Sequence, residues 1–225
     1  MREVGRSGVL QEAYRRAKGP VAYLDESYQT ADPVVAPTST FYIFTAVIVQ
    51  RKEMAELRDG LSKIADDTFW HTTEALQHSR GRERAGDMLE FLAEGPETCI
   101  IAYQVPVEAA DNDGEAARRA CYRSLAIALA GGCESGWDPV ELLVLEERNQ
   151  HNFRKRDELN HRELVSAGLV PRQTRLLQTS PSVERLLWLP DLVASAYRRR
   201  ITHRDGTHRL FDLIADRVHF VDPLA

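Results

Sequence analysis

The sequence has no apolar run approaching the ~18 residues of a membrane-spanning helix, so no helical span is expected. Its first twenty residues carry basic side chains but neither a continuous apolar stretch nor a small-residue cleavage site, so a secretory leader is not expected. Cysteine is scarce: Cys99, Cys121 and Cys133 are an odd number, widely spaced, with no C-x-x-C pair. This argues against a disulfide framework and a structural zinc site, and fits small buried thiols of a cytoplasmic protein. Phosphate loops, glycine-rich dinucleotide fingerprints and a G-x-S-x-G nucleophile elbow are missing. Internal repeats, low-complexity tracts and a Pro/Gly/Ser-rich linker are missing too, so a single domain is expected over 1–225, with extensions at 1–19 and 203–225. A net charge of −5 gives no global attraction to nucleic acid, and any such partner must be held by a local basic patch.

What remains is ordinary for a globular chain: 225 residues, 43% hydrophobic and 28% charged, enough for a substantial core. Helical composition over 9–17 stops at Lys18-Gly19-Pro20. The run Val21–Asp25 reads as a short strand ending at acidic residues, followed by a polar loop from Gln29 to Thr40. Phe41–Val49, built from β-branched and aromatic residues, is the strongest strand signal. Further strands are expected at 98–105, 140–145 and 174–178, and helices at about 52–65, 82–93, 115–130 and 152–167. A last amphipathic helix carries Asp191 and runs to about Ile201. Two consecutive strands followed by alternation predict an α/β fold, with a mixed five-stranded sheet flanked by helices.

Three acidic elements carry the candidate chemistry. In VAYLDESY, a strand delivers Asp25 and Glu26 to a sheet edge, where open α/β sheets tend to bind ligands. Neighbouring carboxylates stay ionised together only beside a compensating cation, and a hard ion such as Mg²⁺ suits oxygen donors. The same residues fit an ordinary polar turn. LLVLEER ends another strand in Glu146 and Glu147, which point to opposite faces, so one of them, Glu146 by preference, faces a shared site. The alternative is a pair of solvated acids beside Arg148. In LLWLPDLVASAYRRR, Asp191 sits among apolar residues near a helix start marked by Pro190. A favourable interaction with the helix dipole is the competing account. His71, Glu74 and His78 would share one side of a helix, and either a metal site or an exposed polar face fits that spacing. The basic clusters Arg154–Arg156 and Arg198–Arg200 read as solvated helix surface or as phosphate contacts.

YLDES followed by FYIFTAVIV resembles the opening of the domain-of-unknown-function 3800 family. LLWLPDLVASAYRR resembles that family's Asp-containing helix, with Trp-Leu-Pro where Gln-Leu-Ala is common, and FWHTTEAL resembles its His-plus-acid element. The resemblance spans about Tyr23 to Arg200 and implies a ribonuclease H-like fold and nuclease activity. By position it implies site roles for Asp25, Glu26, His71, Glu74, Glu146 and Asp191. The expected activity is metal-dependent phosphodiester hydrolysis, with Asp25, Glu146 and Asp191 holding Mg²⁺ or Mn²⁺. Glu26 or Glu74 would complete the ligand set or orient water, His71 would transfer a proton, and Arg148 or Arg198 would neutralise phosphate. A non-catalytic binding module of the same fold is the alternative. A carboxylate-pair sugar hydrolase ranks last, because no aromatic-rich stretch suggests a sugar cleft.

Overall fold

A computed structural model describes residues 2–31, 39–134 and 136–223, with the side chains of 2–7 left aside. The expected polar loop therefore lies largely outside the described residues, at 32–38. The strands are β1 (Val21–Gln29), β2 (Phe41–Val49), β3 (Thr98–Gln104), β4 (Leu142–Glu146), β5 (Arg175–Thr179) and β6 (Val218–Val221). The helices are α1 (Arg2–Arg16), α2 (Met54–Ala65), α3 (Thr72–Ala75), α4 (Ser79–Glu94), α5 (Glu115–Gly131), α6 (His151–Ser166) and α7 (Trp188–Thr202).

One mixed sheet runs in the order β5-β4-β1-β2-β3-β6. β1, β2 and β3 form an antiparallel meander, β4 lies parallel to β1, and β5 lies parallel to β4. This is the mixed α/β sheet flanked by helices that is expected, with a sixth strand where five are expected. The extra strand comes from the C-terminal segment: Val218–Val221 adds to the free edge of β3 in parallel. Its four residues show little alternation of apolar and polar types, which hides it from a sequence reading.

The period-2 alternation of strand side chains divides the core in two. Val21 and Tyr23 of β1, Leu142 and Val144 of β4, and Ile43 and Val47 of β2 face a layer built from α1, α2, α4 and α7. Ala22 and Leu24, Leu143 and Leu145, and Phe44 and Ala46 face α5 and α6. β2 is buried at all nine positions because both of its faces are covered and it is hydrogen-bonded on both sides. Cys99 and Cys121 lie in these two layers, and burial raises each thiol to about 12, so both are inert. α5 ends where Gly132 adopts a φ of 72°; a Cβ there would meet the Pro139 ring at 2.9 Å.

Two local expectations are corrected. β1 does not stop at Asp25 but runs on to Gln29, because apolar β2 offers it a pairing partner as far as Phe41. Asp25 and Glu26 are thus mid-strand. α7 is not amphipathic over its first turns: Trp188–Pro190 and Leu192–Tyr197 are all buried. The helix is covered by β1 and β2 below and by the 3-10 segment Gly206–Leu213 and α4 around it. No helix among the described residues is long and apolar enough to cross a membrane.

Candidate functional site

The alternation that sorts the core also sorts the acids. Asp25 has the parity of Val21 and Tyr23 and faces α7, whereas Glu26 has the parity of Leu24 and faces α5. Leu24 is level with Leu145 across the parallel β1–β4 pair, so Asp25 and Glu146 come next on adjacent strands. Glu146 shares the parity of Leu142 and Val144, so it faces α7 beside Asp25. Glu147 leaves on the other side, where Arg154 reaches it at 3.8 Å. α7 crosses above and contributes Asp191 from its first turn. A 3-10 turn, Arg185–Leu187, leads into α7, which places Pro190 where helix N–H groups lack intrahelical partners.

Asp25, Glu146 and Asp191 line one cavity of about 410 Å³, together with Glu26, His71 and Arg198. Asp25 is only 8% exposed. Burial first, then the charges of Glu146, Asp191 and Glu26, hold its carboxyl well above the usual carboxylate range. Glu146 is raised to about 7 by burial and by Asp191, Glu26 and Glu147. Asp191 is raised by burial, against hydrogen bonding from Thr72 and Ser195 and the nearby His71. The Thr72 N–H donates to Asp191 Oδ2 at 3.4 Å, and the Ser195 hydroxyl donates to Oδ1 at 3.5 Å. The three acids are therefore like charges in a partly dry recess, with Asp191 alone eased by hydrogen bonds and by His71.

Around them lie polar atoms that no group among the described residues satisfies. Thr45, level with Asp25 on β2, and Thr179, level with Glu146 on β5, bury hydroxyls without a partner. Trp188 Nε1 and Glu26 Oε2, both from residues lining the cavity, are likewise buried and unpartnered. Two such atoms in the lining of the cavity, with two more on the strand positions level with its acids, suit a polar occupant, since buried polar groups otherwise find partners. The donor chemistry, carboxylate and hydroxyl oxygen, fits a hard divalent cation. Among the described residues, however, no three His, Cys, Asp or Glu side chains stand close enough to hold a metal ion as placed.

No family model matches the chain, and no curated protein matches it. The resemblance to the domain-of-unknown-function 3800 family thus stands on its short motifs alone. Among solved structures the chain is similar to Bst ribonuclease HIII in complex with Mn²⁺, at 13% identity and a TM-score of 0.44. That match covers 81% of this chain and 53% of the other. A glutamine-to-alanine mutant of Bst ribonuclease HIII matches at 13% identity and a TM-score of 0.43, over 84% of this chain and 57% of that one. The chain spans a little over half the length of these solved structures. Neither likeness bears on activity.

The remaining expected residues divide. His71, at the entry to α3, is exposed and lines the cavity, whereas exposed Glu74 does not line it. His71 and His78 do not share a helix: His71 precedes α3 and His78 precedes α4. Glu26 borders the cavity, but its Oε1 pairs with Arg118 on the α5 side. Arg148 is held by Glu115, by Asp157 at 3.1 Å and by the Phe153 carbonyl at 2.9 Å, and lines not this cavity but a second recess that Asp25, Glu26 and Glu146 also line. Of the basic triplets, Arg154 binds the Arg148 carbonyl, Arg156 reaches Glu115, Arg199 reaches Asp205 and Arg200 pairs with Asp212. Arg198 instead lines the cavity, 5.9 Å over the Phe41 ring.

Three groups escape a sequence reading. Thr72 and Ser195, which hold Asp191, are common residues; only the i, i+4 spacing of Ser195 from Asp191 was a signal. Arg118 is a buried hub in α5: it pairs with Glu26, binds Asp157 through two nitrogens at 2.8 and 3.0 Å, and donates to Tyr42 at 3.0 Å. Nothing in EAARRACYR distinguishes it from its exposed neighbour Arg119 except the helical period of the apolar residues around it.

Proposed function

We propose that this chain is a divalent-metal-dependent phosphodiester hydrolase, a nuclease, that uses Asp25, Glu146 and Asp191 as its metal-holding carboxylates. One observation carries this reading: three acids from β1, β4 and α7 face one recess, each titrating high, with no cation among the described residues placed to balance all three. Like charges without a cation are expected to stand apart, which accounts for their spacing as placed. The motif resemblance around YLDES and LPDLVASAYRR points the same way.

Bound Mg²⁺ or Mn²⁺ supplies charge neutralisation at a phosphate and acidification of an attacking water. The chain's own contributions follow from its geometry. Thr72 and Ser195 fix the Asp191 carboxylate, so that its oxygens are presented in one orientation. The Arg118 pair holds one Glu26 oxygen and leaves the buried Oε2 free to orient water. His71, exposed at the mouth, exchanges a proton with solvent. Arg198 lines the same cavity and meets a phosphate oxygen.

The test is to incubate the chain with labelled single-stranded RNA, single-stranded DNA, duplex DNA and RNA–DNA hybrid in Mg²⁺, Mn²⁺ or EDTA, beside folded Asp25→Asn. Cleavage in metal, absent in EDTA, should fall more than about a hundredfold in the variant, since outer-shell partners alone are worth about 10–100-fold. Cleavage that survives EDTA or the substitution refutes the mechanism. Failure to cleave any substrate transfers the site to a binding module.

A further inference from the structure

Among the described residues four aromatic side chains are more than a third exposed: Tyr28, Phe69, Tyr103 and Phe220. Tyr103 and Phe220 pack edge-on against each other, with ring centroids 5.7 Å apart, and both contact Tyr197. The other two line the carboxylate cavity. Tyr28, 52% exposed, stacks one face on Tyr42 with centroids 5.2 Å apart and planes 8° from parallel. Tyr42 is itself buried and hydrogen-bonded by Arg118, so Tyr28 rests on a rigid support. Phe69, 54% exposed, follows a turn in which Asp67 Oδ1 accepts from the Thr68 and Phe69 N–H groups. The next residue, Trp70, is anchored by its Nε1 donating to Thr72 Oγ1 at 2.8 Å, and Thr72 in turn holds Asp191. Both rings are thus mounted on segments that also position the acids.

Resting on the hydrolase reading, we infer that the site takes unpaired nucleic acid, with bases stacking on Phe69 and Tyr28 while the backbone phosphate enters the recess beside Arg198. The faces of bases within a duplex are already occupied by their neighbours, so exposed aromatic platforms beside a recessed site select strands whose bases are free. Stacking reads no base identity, because every base has a π-face. The recess makes the same selection: with Asp25 only 8% exposed, the phosphate has to enter a cavity that both rings line, which a strand free to bend can do.

Binding of the full chain is measured by fluorescence anisotropy in Ca²⁺ and again in EDTA. The probes are a labelled mixed-sequence single strand of RNA and of DNA, each strand annealed to its complement, and an abasic strand of equal length. Phe69→Ala, Phe69→Leu, Phe69→Trp and Tyr28→Ala are compared with wild type after thermal melts show each to be folded. Single strands should bind more tightly than duplex and abasic probes. Phe69→Ala and Phe69→Leu should each weaken single-strand binding about tenfold, and Phe69→Trp should restore it. Rescue by leucine would mean that apolar area alone matters, and overturns stacking. Equal binding of duplex or abasic probe also overturns the inference, as does an unchanged Phe69→Ala. Metal-dependent cleavage of duplex alone, indifferent to Phe69, sinks this inference and leaves the hydrolase standing. Single-strand binding lost in Phe69→Ala, without turnover in any metal, upholds the inference and sinks the hydrolase.

Discussion

Glu146→Gln, studied without metal, isolates the electrostatic cost of the site. In the folded chain the Glu146 carboxyl is raised from 4.5 to about 7, with burial as the main cause. A group raised on folding binds more protons in the native state between those two values, so stability falls as pH rises through that window. It is complete below about 4.5 and has been lost above about 7. Taken in full, the interval is worth about 3 kcal/mol; partial exposure of Glu146 reduces this to about 2 kcal/mol. Asp25 and Asp191 are raised as well and add to the same slope. For a chain of this size, 2 kcal/mol is about 4–8 °C in Tm. Buried His161 is lowered by desolvation and works in the opposite direction, but it is common to both proteins and cancels in the comparison. Thermal melts in EDTA from pH 5 to 8.5 should therefore show wild type losing Tm relative to Glu146→Gln. Mg²⁺ should recover the loss at pH 8 and do little at pH 5, where the ligands are protonated; an ion at a hundred times its Kd contributes about 2.7 kcal/mol. Parallel melting curves for the two proteins across this range would refute the claim that these acids are like charges in a partly dry recess.

Arg118→Leu should cost about 3–5 kcal/mol in urea denaturation, because it strands Glu26 and part of Asp157 as buried charge; a loss below about 1 kcal/mol would show the network to be dispensable. Thr72→Val removes the Trp70 and Asp191 partners of the hydroxyl, and is expected to cost about 1–2 kcal/mol and to weaken Mg²⁺ binding. Unchanged Mg²⁺ affinity, read by calorimetry, would remove Thr72 from the support of Asp191.

The sheet was legible where apolar and polar residues carry a clear period. FYIFTAVIV and TCIIAYQ announce strands whatever surrounds them, and β2 and β3 fall close to the expected bounds. DESYQ does not announce one, because its strand character is conferred by β2, which pairs with it residue for residue. The same tertiary override explains VHFV, a strand only because β3 leaves an edge for it. α3 is a single turn whose existence depends on contact with α7 and α4. Arg118 and Thr72 could not be singled out because their roles come from partners 39 and 119 residues away in sequence.

The choice between Glu146 and Glu147 shows what had to be supplied from outside the local sequence. Alternation alone says that the two point to opposite faces, but not which face is the site. That depends on the parallel register of β4 against β1, which puts Leu145 level with Leu24 and so brings Glu146 onto the face of Asp25. Shifting the register by one residue would put Glu147 level with Asp25 and on its face, and would turn Glu146 to the α5 side level with Leu24, buried without a partner. The apolar residues of LLVLE already oppose that slip, since Leu142 and Val144 must reach one core layer and Leu143 and Leu145 the other. The packing that fixes the strand thus also selects the acid: Glu146 reaches the cavity because the four residues before it are buried in alternation.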